Sequence, residues 1–286
     1  MRIAPLAADS MGARSMATFV ETDDCNFLID PNVRLAPERF GLPPHPSERK
    51  RRAELWRIIR NAAKRAKVLI VSHYHYDHHN PDAPSIYRGK IAVLKDYENK
   101  TNVNQGKRGH AFAKRIQKYA KEVLIADGEE YRFGGTCVKF SHPVVHGTDD
   151  RMGYVVETCI REKEAFVHTS DIVGGSEQDQ VDFIVDQSPR TVLMDGPLTY
   201  MMGTYGKRNM MRSQSNMVFV LEEAGLRTLI LDHHLLRERK WRERIPDVFD
   251  AAKENEVKLL TCAGYLGRRD DLLEANRKEL HGKHGR

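Results

Sequence analysis

His73, His75, Asp77 and His78 place four metal-capable side chains within six positions, directly behind the apolar run Val68-Leu69-Ile70-Val71. In an extended backbone alternate side chains share a face, so His73 and His75 point together and can close on one cation. Asp77 and His78 are neighbours and reach a metal together only if the chain turns. Asn80-Pro81 supplies turn chemistry, which redirects the second pair towards a neighbouring ion. A terminal histidine tag does not account for the pattern, because a tag lacks a preceding strand of the kind a sheet buries on both faces.

The pattern His-x-His-x-Asp-His resembles the signature of the metallo-β-lactamase superfamily, and four further motifs stand around it in that family's order. Asp30 closes the strand-like run Asn26-Phe27-Leu28-Ile29, as an aspartate that orients a ligand histidine or as an Asp-Pro turn, and both readings can hold together. His146 ends Ser141-His142-Pro143-Val144-Val145, with His142 as runner-up ligand at i−4. Asp171 follows Phe166-Val167-His168-Thr169-Ser170. The last motif is offered twice, by His233 and His234 after Thr228-Leu229-Ile230-Leu231-Asp232. His233 is preferred, since its spacing to Arg237 resembles the Thr-His-x-x-x-Arg arrangement of the transfer-RNA 3′-processing branch. His234 stays open as the ligand.

The resemblance implies a ligand set. His73, His75 and His146 would surround one metal, Asp77, His78 and His233 the other, with Asp171 between them. It implies two divalent ions, zinc first, although a His and Asp set also suits iron, manganese and nickel. Two such ions lower the pKa of a shared water from ~15.7 towards ~7 and clamp the attacked group, so hydrolysis is the expected reaction. Asp77 would hold and deprotonate the water, and His234 or His142 would supply the proton that the leaving group needs.

Comparison within the superfamily narrows the substrate. Asp171 stands where zinc β-lactamases commonly carry cysteine, and His75 where flavin-linked di-iron relatives carry glutamate. The interval from Asp171 to His233 is too short for the nuclease branch that inserts a domain there. Phosphodiesters, lactones and thioesters remain as ester-type substrates, and the chain looks like a mostly archaeal branch of the superfamily. A small-molecule or nucleotide-type anion is the expected partner. Lys107, Arg108, Lys207 and Arg208, in two polar loops, and the segment 195–200 are candidates to shape its pocket.

The elements that must position these residues alternate between strand and helix patterns. Helices are expected over 47–66, 106–122, 177–185, 209–224, 239–255 and 270–280. Strands are expected over 91–94, 123–126, 131–133, 136–146, 153–160, 165–170, 191–194, 228–231 and 257–261. The class is α/β (α+β), and the resemblance implies a four-layer αββα sandwich with the metals at one edge of its two sheets. With 286 residues, 40% of them hydrophobic, one domain over 1–286 is the economical expectation. No apolar run approaches the ~18 to 20 residues of a membrane span, and Cys25, Cys137, Cys159 and Cys262 are scattered, which suits free thiols in the cytoplasm. Residues 282–286 read as a frayed tail.

The net charge of +6 has a local origin: nine of the 46 basic residues lie in 47–67, against Glu48 and Glu54. Leu55, Ile58, Ile59, Ala62 and Ala63 form the apolar stripe of this helix, so its cations face water. An alternative function follows, a nucleic-acid-binding protein or RNA-processing nuclease that uses the basic helix 47–67.

Overall fold

The computed structural model describes residues 1–282; of the tail expected over 282–286, Gly282 ends the last helix and 283–286 lie outside the described residues. Six strands form the first sheet in chain order: β1 (Arg2–Pro5), β2 (Thr18–Glu21), β3 (Asn26–Ile29), β4 (Val68–Val71), β5 (Ile91–Leu94) and β6 (Glu122–Ile125). The β1–β2–β3 meander is antiparallel, and β3 to β6 run parallel. A second sheet holds β7 (Glu130–Phe133), β8 (Thr136–Phe140), β11 (Thr158–Arg161), β12 (Ala165–His168), β13 (Thr191–Asp195), β14 (Thr228–Asp232) and β15 (Lys258–Leu260). Its order is β15-β14-β13-β12-β11-β8-β7, antiparallel from β7 to β12 and parallel from β12 to β15. Between them β9 (Val144–Val145) and β10 (Tyr154–Val155) pair as a separate ribbon.

Two apolar clusters show how the sheets stack. Along β12, β13 and β14, Phe166, Leu193 and Ile230 join the core with the first sheet, while Val167, Val192, Met194, Leu229 and Leu231 join the other. This period-two division means that one face of the second sheet packs on the first sheet and its opposite face on helices. The first core also takes in Leu55 and Ile59 of α1 (Pro46–Arg65) and Phe112 and Ile116 of α2 (Val103–Ile116). The second takes in Val181 of α3 (Gln178–Gln187), Met217 of α5 (Lys207–Glu223) and Val248 of α6 (Pro246–Glu254), with the single turn α4 (Met202–Tyr205) leading into α5. The layers are α, β, β and α, the metallo-β-lactamase arrangement. The short helices α7 (Cys262–Tyr265) and α8 (Arg277–Gly282) close the chain.

Local chemistry explains where elements begin and stop. Helix α1 starts with Pro46 at its first position, and Glu48 reaches back to the His45 amide (2.8 Å). Ile58, expected in its apolar stripe, is 39% exposed. Helix α2 begins three residues before the expected 106 because Asn102 accepts from the Gln105 amide (2.8 Å). The helix expected over 239–255 is broken: Trp241–Arg244 is a 3-10 turn and α6 starts at Pro246, whose missing N–H suits a first turn only. The strand expected over 136–146 breaks for a similar reason, since Pro143 cannot donate to a ladder, and Val144–Val145 pairs with β10 instead. Of the helix expected over 270–280, only Arg277–Gly282 forms. One close approach fixes α2 against the sheet: a Cβ on Gly109 would lie 2.5 Å from the Tyr74 ring.

Candidate metal centre

The candidate residues sit past the carboxyl ends of parallel strands, where open α/β sheets place their sites. Asp30 follows β3, His73 to His78 follow β4, Asp171 follows β12, Asp195 ends β13, and His233 and His234 follow β14. Asp30, Ser170 and His233 take left-handed backbone conformations at φ 48°, 58° and 56°. Left-handed backbone is costly for residues with a Cβ, and it recurs here at three strand ends that meet at one place. His146 arrives by a different route, at the end of the β9–β10 ribbon, where its amide bonds the Gly153 carbonyl (2.9 Å).

The structure brings the seven expected side chains together. One group holds His73, His75, His146 and Asp171; another holds Asp77, His78 and His233; in each, one potential ligand atom per residue lies within 4.8 Å of the others. Asp171 is central. Its Oδ2 lies 3.2 Å from Nε2 of both His78 and His146 and 3.5 Å from that of His73, and its Oδ1 lies 3.5 Å from His233 Nε2. Asp77 Oδ2 lies 3.6 Å from His233 Nε2. Ligands held ~2.0–2.1 Å from a tetrahedral ion stand roughly 3.3 Å apart, so these spacings suit cations. His234 joins Asp171 and His233 in a third group, its Nε2 4.0 Å from Asp171 Oδ2.

Carboxylates hold three imidazoles from behind. His78 Nδ1 donates to Asp30 (2.8 Å), His233 Nδ1 to Asp9 (2.8 Å), and His234 Nδ1 pairs with Asp195 (2.7 Å). Each arrangement turns Nε2 inward, the geometry by which a carboxylate orients a metal-binding histidine. Ser72 and Ser170 flank His73 Nδ1 at 3.1 and 3.2 Å. Asp9, Asp195 and Arg237 extend the motif set. Arg237 is buried, donates to Asp9 (3.1 Å) and approaches Asp77 Oδ2 (3.8 Å) and the Tyr200 hydroxyl (3.4 Å). The expected segment 195–200 therefore does reach the site, through Asp195 and Tyr200.

Charge is concentrated in a buried space. Burial alone would raise Asp171, yet the His78 and His233 imidazoles pull it well below the usual carboxylate range. Burial opposes charge on His78 and His233, but Asp171 with Asp30 raises the first well above normal, and Asp171 with Asp9 raises the second to about 10. Burial, reinforced by His78, depresses His73, and burial with His146 lowers His75 to about 3. Burial and the Asp171 charge raise Asp195, while burial and Arg237 lower His234, so both shifts oppose charge on this last pair. Nε2 of His73 and His78 and Oδ1 of Asp171 are buried without any hydrogen-bond partner. Orphaned atoms of this kind are costly unless an ion completes them, so the residues fit divalent cations.

A cavity of about 580 Å³ opens onto the cluster, lined by His75, Asp77, His146, Asp171, His234 and Arg237 among others, with Arg14, Arg34 and Tyr76 at its sides. His234 reaches it and His233 does not. Two expectations fail here. His142 is exposed beyond the break at Pro143 and belongs to none of the clusters, which removes it as ligand or acid. Lys207 and Arg208 lie exposed in the first turn of α5, and Lys107 on α2, none of them lining the cavity at the metal residues; Arg108 lines a neighbouring cavity with Arg34 and Tyr76. No helix among the described residues is long and apolar enough to cross a membrane.

No family model matches the chain. It is 48% identical over 286 residues to the UPF0282 protein of Korarchaeum cryptofilum, an alignment covering 98% of this chain and 94% of that relative. Its fold is similar to that of the isothiocyanate hydrolase from Delia radicum gut bacteria (TM-score 0.55, 17% identity, 88% and 94% of the two chains). It is likewise similar to unliganded yeast PDE1 (TM-score 0.56, 13% identity, 91% and 96%).

Proposed function

The chain belongs to the UPF0282 family, and from its metal centre we propose that it is a metal-dependent hydrolase whose seven ligands hold two divalent ions, zinc first. One observation carries the reading: Asp171 lies between two His-rich groups, and its Oδ1 together with Nε2 of His73 and of His78 is buried and unpartnered. On this reading His73, His75 and His146 hold one ion, Asp77, His78 and His233 the other, and Asp171 both. Such ions, when bound, supply Lewis acidity and bring the pKa of a water towards ~7.

The chain's own groups do the rest. Asp77 faces the cavity beside the cluster, where a carboxylate oxygen can hold the attacking water and take its proton. Asp195 backs His234. With the shared proton on that carboxyl, His234 accepts at Nδ1 and presents an Nε2 hydrogen to the cavity, the position from which a leaving group receives a proton. Arg237, fixed by Asp9, meets negative charge that builds on the attacked group. The substrate is an ester of the phosphodiester, lactone or thioester type. Arg14, Arg34 and Arg237 around the cavity favour the phosphodiester, because guanidinium pairs with phosphate at two points.

The test is a screen of the protein, stripped and then reloaded with zinc, manganese or iron, against bis(p-nitrophenyl) phosphate, a lactone and an acyl thioester. Turnover of at least one ester that disappears with a chelator and returns with the ion supports the reading. Full metal loading with no turnover in any class overturns it.

A further inference from the structure

We infer that the ester is one linkage of a single-stranded nucleic acid lying along a groove that runs past the centre on both sides. This rests on the hydrolase reading and adds the polymer. The cavity at the metal residues has two neighbours. Arg237 lines both it and a larger one of about 900 Å³, edged by Arg39, Phe40, Tyr200, Arg239, Lys240 and Arg244. Arg34 and Tyr76 are shared with a third, of about 260 Å³, that also holds Arg108 and Arg115. A small ester needs one anion clamp. Cations on both sides of the reacting centre fit phosphates that repeat along a chain.

The acids beside these cations are few. Glu238 pairs with Arg244 (2.6 Å), Glu279 with Arg239, and Glu243 with Lys240 (3.6 Å); Glu274, which holds Arg14 at 2.6 Å, lies 4.0 Å from Arg39; Asp82, itself exposed, lies 3.8 Å from Arg34 and 3.9 Å from Arg115. Apart from the Arg244 and Arg14 pairs, these are exposed contacts or lie beyond 3.5 Å, which phosphates displace at little cost. Arg239, Lys240 and Arg244 follow the 3-10 turn His233–Arg237, so this part of the basic rim continues the segment that carries His233 and His234.

Aromatic rings stand where bases would stack. Phe40 and Gly41 form the two-residue tip of a tight turn, both at positive φ (59° and 73°), closed by reciprocal Arg39 and Leu42 bonds of 3.0 Å. Asn or Gly is the usual occupant of such a tip; here a 44% exposed phenylalanine takes it. The Arg39 guanidinium lies 4.6 Å from its ring and 4.3 Å from that of Tyr200. Tyr76, 42% exposed, has Arg108 at 4.4 Å and Arg34 at 5.6 Å. Ring and guanidinium pairs, one on each flank, are the stacking platforms of single-strand binding. In the basic helix α1 the Arg65 guanidinium lies over the ring of Phe19 (5.0 Å), which is buried and offers no face to a base, and none of the helix's residues lines these three cavities.

Cleavage joins the water oxygen to phosphorus and breaks the bond from phosphorus to one ribose oxygen. Asp77 takes one water proton and passes it to solvent, His234 gives its Nε2 proton to the leaving sugar oxygen and regains one from solvent, and the second water proton leaves the new phosphomonoester for solvent, so that a phosphomonoester end and a hydroxyl end remain.

The experiment uses the metal-loaded protein and fluorescein-labelled RNA and DNA strands of about twelve nucleotides, within the span one such groove covers. Anisotropy gives affinity against salt, and the same strands are offered as competitors of bis(p-nitrophenyl) phosphate. Three variants are compared: Arg239→Glu with Lys240→Glu, Phe40→Ala, and Arg57→Glu with Arg60→Glu on α1. Thermal melting and metal content show which are folded. The groove charge reversal should weaken binding about tenfold or more and flatten the salt dependence. Phe40→Ala should weaken it about fivefold or more with the salt slope unchanged, and the α1 variant should bind as the parent does. Folded groove variants that bind like the parent, binding lost only in the α1 variant, or an ester turned over with no competition from either strand would each overturn the inference. Strands bound in the groove while no ester of any class is turned over would overturn the hydrolase reading instead.

Discussion

The Nε2 atoms of His78, His233 and His234 turn towards Asp171 because carboxylates behind these rings hold Nδ1. Asp9 is the most informative of these, since it bonds His233 and Arg237 at once. Asp9→Ala is expected to weaken the second ion about 10- to 100-fold, as loss of an orienting carboxylate does, and isothermal titration of the stripped protein measures it. His233→Ala should lose that ion altogether, whereas His234→Ala should keep both and slow turnover, because His234 faces the cavity and His233 does not. Elemental analysis separates the two, and the reverse result would exchange their roles. Binding also carries a sign in pH. Without metal, the Asp171 and Asp30 carboxylates push His78 well above its ordinary pKa, and Asp171 with Asp9 pushes His233 to about 10, so both shifts favour the protonated imidazole. Ions require neutral imidazoles, so affinity should rise with pH, and proton release should appear as a buffer-dependent heat. The types and order of the seven clustered residues were legible in the sequence because metal chemistry admits few side chains. Asp9 was not, since its partner stands 224 positions away.

At the scale of elements, the strands deliver the chemistry and proline decides where they stop. Continuous apolar runs such as Val68–Val71 were legible because a parallel strand buried on both faces leaves no polar position. The segments 136–146 and 239–255 misled because Pro143 and Pro246 interrupt otherwise good patterns, and the first interruption is what exposes His142. Helix placement matters as much as strand ends. Gly109 lets α2 approach Tyr74, the residue between His73 and His75, so Gly109→Ala is expected to cost about 1–3 kcal/mol by overpacking and to loosen metal retention. Chelator competition alongside a thermal melt checks both parts. Helix α8 is tied to α1 by Arg277 and Glu48, both fully buried, at 2.7 Å. Arg277→Leu strands a buried carboxylate, expected to cost about 3–5 kcal/mol, or roughly 10 °C in Tm. Adding Glu48→Gln should recover much of it.

Across the whole molecule, two sheets pack face to face so that the carboxyl ends of their parallel strands meet at one edge, and residues from Asp9 to Arg237 assemble there. The layered architecture was legible from alternating strand and helix patterns together with the motif order. The groove was not, because its cations come from segments around 34–39, 108–115 and 239–244 that no local pattern joins. Net charge pointed instead to α1, whose cations mostly face solvent on the outer layer. The central claim is that two ions acting together make this edge hydrolytic. It is tested most directly by titrating the stripped protein with zinc or manganese while following hydrolysis of the ester found in the screen. The account predicts activity that climbs to a plateau at two ions per chain; a plateau at one, or no activity at any ratio despite bound metal, contradicts it.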